Sequence, residues 1–136
     1  MLKYHAMRKI YIMAVLAATV FAASCGWESR QTKKEHAAET VTNFYMHIQA
    51  HEYEDAMRCT DLGDREAESM ASLFEQLGME IHKFHVDTVT LDPGDTVARV
   101  HLSLRVSNAF ASDTAETSPV IPCIKTRDGW RVKFDF

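Results

Sequence analysis

The chain has 136 residues, a formal net charge of −4, 46% apolar residues and 25% charged ones. That balance describes one folded globular domain and excludes a disordered chain, and 5 Gly and 3 Pro are too few for low-complexity linkers. Residues 1–24 hold Lys3, Arg8 and Lys9 and no acid, so the remainder sets 12 basic against 19 acidic residues. This balance excludes a nucleic-acid binder, which needs a basic surface.

Arg8 and Lys9 precede an apolar run from Ile10 to Ala23. A basic start, a short apolar stretch and small residues at its end make residues 1–24 a secretory signal. The run is too short to cross a ~30 Å hydrocarbon core. Ala22-Ala23-Ser24-Cys25 resembles the bacterial lipobox, departing at Ala22, where Leu is usual. The resemblance implies a lipoprotein signal peptide and a Cys25 that carries two acyl chains. Residues 25–33 are then a lipidated tether holding the protein in the bacterial cell envelope, at the outer membrane in preference to the inner, with the leaflet left open. Translation starts at Met1 or at Met7, the second giving a signal of more usual length.

With Cys25 acylated, Cys59 and Cys123 remain as an even pair in an oxidising compartment. The pair is open between a disulfide and two buried thiols. No Cys or His cluster has the spacing of a zinc site. His47 and His51 stand four residues apart, but no third ligand lies near them in sequence. No metal and no cofactor is expected.

From about residue 34 the chain reads as helices followed by strands. Thr32 and Glu35 have the spacing of a capping box, and Ala37, Val41, Phe44 and Ile48 recur at helical intervals, predicting a helix over 34–50. Tyr53, Ala56 and Met57 mark a short helix over 52–59. Asp64 is the expected N-cap of a third helix whose apolar face is Ala67, Met70, Ala71, Phe74 and Leu77, and Gly78 can end it. The period then changes to two. A strand over 81–91 ends at the turn Asp92-Pro93-Gly94-Asp95. In 97–106, Ala98, Val100, Leu102, Leu104 and Val106 share one face, and Arg99, His101, Ser103 and Arg105 share the other. A polar connection over 107–118 leads to a strand over 119–127. Asp128-Gly129 signals a type I′ hairpin, after which Trp130, Val132, Phe134 and Phe136 share a face. The expectation is an α+β domain over 34–136, three N-terminal helices packed on a curved four-stranded antiparallel sheet.

This order of elements, with Ala37–Ile48 in the long helix and Gly129–Val132 in the closing strand, resembles the nuclear-transport-factor-2-like, or cystatin-like, fold. Preceded by a lipobox, it is similar to small envelope lipoproteins of that superfamily whose domain is of unknown function. The superfamily holds isomerases, dehydratases and non-catalytic accessory domains, so the resemblance implies a fold without choosing an activity.

An enzyme on this fold needs an acid–base residue on the inward sheet face. The inward faces of 97–106 and 130–136 are aliphatic and aromatic, and Phe84 and Val86 turn Lys83, His85 and Asp87 outward. The expected function is therefore a non-catalytic binding or accessory module for an unknown small molecule or protein. The alternatives are an isomerase or dehydratase and an oligomeric structural lipoprotein, a homodimer being the simplest. Binding has two candidate places. One is an apolar cavity lined by Phe44, Ile48, Leu102, Leu104 and Trp130, unless the core fills it. The other is an outward basic stripe of Arg99, His101, Arg105, Lys125, Arg127, Arg131 and Lys133, an anion or partner surface. Thr114, in Asp113-Thr114-Ala115, resembles an envelope O-glycosylation acceptor placed in a loop.

Overall fold

The computed structural model describes residues 28–134. The expected signal peptide and Cys25 lie outside the described residues, as do Asp135 and Phe136. The chain divides into two compact units, residues 1–33 and 34–136. In the first, Ser29 Oγ accepts a hydrogen bond from the Thr32 amide at 3.1 Å, the bond of an N-cap. Helix α1 consequently spans Arg30–Gln49 and begins four residues before the expected start at 34. The last four residues of the expected tether are helical.

In the second unit α1 buries Ala37, Val41, Phe44 and Ile48, the stripe that the helical period predicts, and also Tyr45 beside it. Helix α2, Tyr53–Met57, buries Tyr53, Ala56 and Met57. Helix α3, Asp64–Leu77, takes Gly63 as its N-cap, so Asp64 is the first helical residue and not the cap. Its negative charge suits the first turn all the same. The helix ends at Gly78, in the left-handed region at φ 59°. A Cβ at Gly78 would lie 3.0 Å from that of Ala109, so both conformation and space require glycine.

Five antiparallel strands follow: β1 Glu80–Leu91, β2 Val97–Asn108, β3 Ala111–Thr117, β4 Val120–Thr126 and β5 Gly129–Val132. The order β1-β2-β4-β5 is the expected meander. The 107–118 stretch, expected as a connection, completes β2 and supplies β3. The first half of β2, Val97–His101, pairs with β4, and its second half, Leu104–Asn108, pairs with β3. Along β2 the residues Ala98, Val100, Leu102 and Leu104 are buried. β1 keeps step with them through two irregularities, at His82 and at Asp87. Each inserts one residue, bends the strand and resets its parity, so that Ile81, Phe84, Val86, Val89 and Leu91 all turn toward the core.

Specific bonds join helices to sheet. Thr40 Oγ1 donates to the Trp130 carbonyl at 3.3 Å, Gln49 Nε2 to that of Ile81 at 3.1 Å, and Tyr53 Oη to that of Met79 at 3.2 Å. The outer edge of β5 is covered: the Val132 amide donates to the Cys59 carbonyl, and the Asp61 amide donates to the Val132 carbonyl. The β4–β5 turn is not type I′. Neither Arg127 nor Asp128 takes a positive φ, which falls instead to Gly129 at 114°. A turn followed by a glycine bulge gives the same hairpin.

Cys59 and Cys123 are both free thiols. Val132 is the register partner of Cys123 and is bonded on its other side to the Cys59 segment, so β5 runs between the two. Two strand spacings are roughly 10 Å, beyond the ~7 Å reach of a disulfide. The disulfide alternative is set aside on this geometry.

Trp130 is 3% exposed, and its Nε1 is buried without a hydrogen-bond partner. Trp130→Ala should cost roughly 3–5 kcal/mol of folding stability in urea unfolding. Trp130→Phe keeps a ring and removes the unsatisfied N–H, and should cost less than half as much. An alanine variant as stable as wild type would contradict the placement of this residue.

Candidate functional site

An open cleft of about 390 Å³ lies between the helices and the inward sheet face. α1 supplies Phe44, Tyr45 and Ile48, which share the buried stripe of the helix, and α3 supplies Phe74. The sheet supplies Ile81, Leu104, Val106, Ile121 and Val132, all on inward parity, and Phe134 follows β5. The ring of Phe134 stands 6.5 Å from Phe44 and 6.3 Å from Phe74, making one aromatic wall.

The cavity expected from the sequence is thus present in part. Phe44, Ile48 and Leu104 line it, whereas Leu102 and Trp130 are packed into the solid core beside it. Phe74, Met79, Ile121 and Phe134 were not expected there. Phe74 does belong to the apolar period of α3, but no local signal directs it to this cleft, and the parity of Ile121 comes from the pairing of β4 with β2.

The chemistry of the lining is narrow. Among the described residues that line it there is no carboxylate and no imidazole, and Tyr45 and Lys133 are its ionisable groups. Burial pushes the Tyr45 phenol up to about 12, so it is a neutral hydroxyl at physiological pH. Volume and lining match an ordinary small-molecule site, apolar with few polar groups.

The outward face is not the continuous basic stripe expected. Arg99 makes two hydrogen bonds to Asp92, both 3.0 Å, and Arg105 donates to Glu116 at 2.6 Å. The bond from Arg105 holds the Glu116 carboxyl below its usual range, with the Arg105 charge adding to it. Lys125 is not on this face at all. It is the register partner of Trp130 on inward parity, and its ammonium lies 5.8 Å from the Trp130 ring centre. Arg127 sits in the hairpin turn. His101 and Arg131 alternate outward, and Arg131 Nη1 bonds the Trp130 carbonyl. Lys133, just past the end of β5, lines the cleft and does not join a stripe on this face. The acids come from a turn and from β3, neither of which the alternation of β2 reveals. Asp87 does face outward, where its carboxylate accepts from Ser103 Oγ at 2.7 Å.

His47 and His51 do not share a helix face. His47 closes α1 and contacts Glu52 at 3.1 Å, while His51 leaves the helix at φ 61° and contacts the Tyr53 hydroxyl at 2.9 Å. The ligand atoms of His47, Glu52 and Asp55 converge within 4.8 Å, but Asp55 already binds Arg58 at 2.9 Å. A second groove, about 530 Å³ and lined by Glu52, Glu54, Asp55, Glu68 and Glu75 among others, runs between α2 and α3. Thr114 is exposed but stands in β3, not in a loop.

No protein-family model and no curated protein matches the chain. Solved structures do. A cystatin-like domain of unknown function from Nostoc punctiforme superposes with a TM-score of 0.51 at 15% identity, over 69% of this chain and 68% of that one. A protein described as a nuclear-transport-factor-2-like transpeptidase from Campylobacter jejuni gives 0.48 at 12% identity, over 72% of this chain and 97% of that one. One described as a polyketide cyclase from Xanthomonas campestris gives 0.42 at 12% identity, over 76% and 93%. At these identities the likeness is one of fold. The domain has a cystatin-like α+β fold.

Burial also pushes the Cys123 thiol up to about 12. Tyr45 and Cys123 ordinarily ionise at 10.0 and 9.0, so each favours the folded state in full below those values. As pH rises from about 9 to about 12 the unfolded chain ionises first, and stability should fall by up to ~1.4 kcal/mol per pH unit for each group. Urea unfolding across this window should show the decline, and Tyr45→Phe should lessen it. A flat profile, equal in the two proteins, would contradict the burial of the phenol.

Proposed function

We propose that the chain is a lipid-anchored protein of the bacterial cell envelope whose 34–136 domain binds an apolar small molecule in the cleft. It acts as a binding or accessory module. One observation carries this reading: an open cleft walled by Phe44, Phe74 and Phe134 whose lining offers no carboxylate and no imidazole. General acid–base catalysis needs a titratable side chain within hydrogen-bond reach of the moving proton. Tyr45, held neutral, has no carboxylate beside it in the lining to take its proton. An isomerase or dehydratase has correspondingly less support.

Anchoring rests on the lipobox at Ala22–Cys25. Two acyl chains on Cys25 give stable membrane attachment where one gives only marginal binding. Cys25→Ala should abolish labelling by radioactive palmitate and move the protein out of the membrane fraction. Unchanged labelling would refute the anchor. A neutral naphthylamine fluorophore should bind the domain at one site, and Val106→Trp, which fills the cleft from β2, should weaken that binding at least tenfold. Full binding by a folded Val106→Trp protein would place the site elsewhere.

A further inference from the structure

We infer that the ligand of this cleft is a single-chain amphiphile with an anionic head, a long-chain carboxylate whose head sits at Lys133. The inference rests on the cleft reading above and names its ligand class. Lys133 is the sole formally charged residue among the described residues of the lining. It is exposed, and no ion pair engages it among the described residues. Arg99 is paired with Asp92 and Arg105 with Glu116, and Lys125 lies over the Trp130 ring. None of these three lines the cleft, where Lys133 is the charge placed to meet a ligand.

The rim around it offers little else. Pro119 and Pro122 have no amide hydrogen, and their carbonyls already accept from the Leu102 amide at 3.0 Å and the Lys133 amide at 2.8 Å. The second of these bonds fixes the Lys133 backbone at the rim. Thr117, opposite Leu104 on inward parity, adds a hydroxyl to the lining. Head-group recognition therefore falls to one ammonium and one hydroxyl, an arrangement that favours an anion over a cation at the rim. The interior sets the rest of the ligand. An ionised group cannot be buried among Phe44, Ile48 and Phe74 without a partner, so the charge must stay at the rim while an apolar chain enters.

Three probes of one chain length test this: dodecanoate, dodecanol and dodecyltrimethylammonium, each measured by displacement of the neutral naphthylamine. Wild type should prefer dodecanoate to dodecanol by roughly fivefold, the size of an exposed charge contact, and should bind the cation most weakly. Lys133→Gln should remove the preference and leave dodecanol binding unchanged, and Lys133→Glu should reverse it toward the cation. The substitutions are at an exposed position, and unchanged urea unfolding verifies that the fold is intact. Equal binding of dodecanoate and dodecanol by wild type, or a preference that survives Lys133→Gln, overturns the head-group assignment while the cleft stands as an apolar site. Failure of all three probes and of the naphthylamine overturns the cleft reading itself.

Discussion

Burial of one face of β2 against one face of α1 is the constraint on which the rest of the domain depends. Ala98, Val100, Leu102 and Leu104 on the strand, and Ala37, Val41, Phe44 and Ile48 on the helix, belong to one buried cluster. β2 is also the strand to which β1, β3 and β4 all pair. A slip of one residue would turn Arg99, His101, Ser103 and Arg105 toward the helices, where unpaired charge is far costlier than any register gain. Its neighbours adapt to it. β1, whose own alternation is broken, inserts His82 and Asp87 as extra residues so that its apolar side chains follow the parity β2 imposes.

The same pairing explains why the core is solid at one end and open at the other. Near Ala37 the contact is close: the Cys123 thiol lies 3.9 Å from the Ala37 carbonyl, and Cys123 is paired with Ala98. Small residues let helix and sheet approach there, as packing distances follow side-chain size. Two turns further along α1 the facing residues are Phe44 and Ile48, met by Phe74 and Phe134. Large side chains from different elements hold the layers apart, and the cleft is the space between them. The void is thus a product of residue size along one helix and needs no special loop.

How far the sequence discloses this depends on the element. The strand 97–106 is legible because its two faces differ at every second residue, and Trp130 and Val132 are legible for the same reason. β3 is not. Its residues, ASDTAET, carry no large apolar side chain, and pairing with the second half of β2 imposes strand geometry on a polar segment. The parity of Lys125 is not legible, because Val120-Ile121-Pro122-Cys123-Ile124 has no alternation from which to take it. The charged outward face was legible in its cations and not in their partners, since Asp92 and Glu116 reach Arg99 and Arg105 only through the hairpins. Of the cleft, Phe44, Ile48 and Leu104 could be named in advance. Phe74 and Phe134 could not, because nothing local shows that a helix before the sheet and a residue after it meet.

The central claim is that the cleft is an open apolar site, neither a filled core nor a polar reaction centre. Pressurising the protein with xenon and recording the xenon NMR resonance and the protein's own shifts tests it most directly, because xenon enters apolar voids and gains nothing from polar ones. An open apolar cleft gives a bound xenon signal together with shifts of Phe44, Ile48, Val106 and Ile121, and no comparable shifts around Glu68 and Glu75 between α2 and α3. Absence of a bound signal, or shifts confined to the acidic groove, would contradict it.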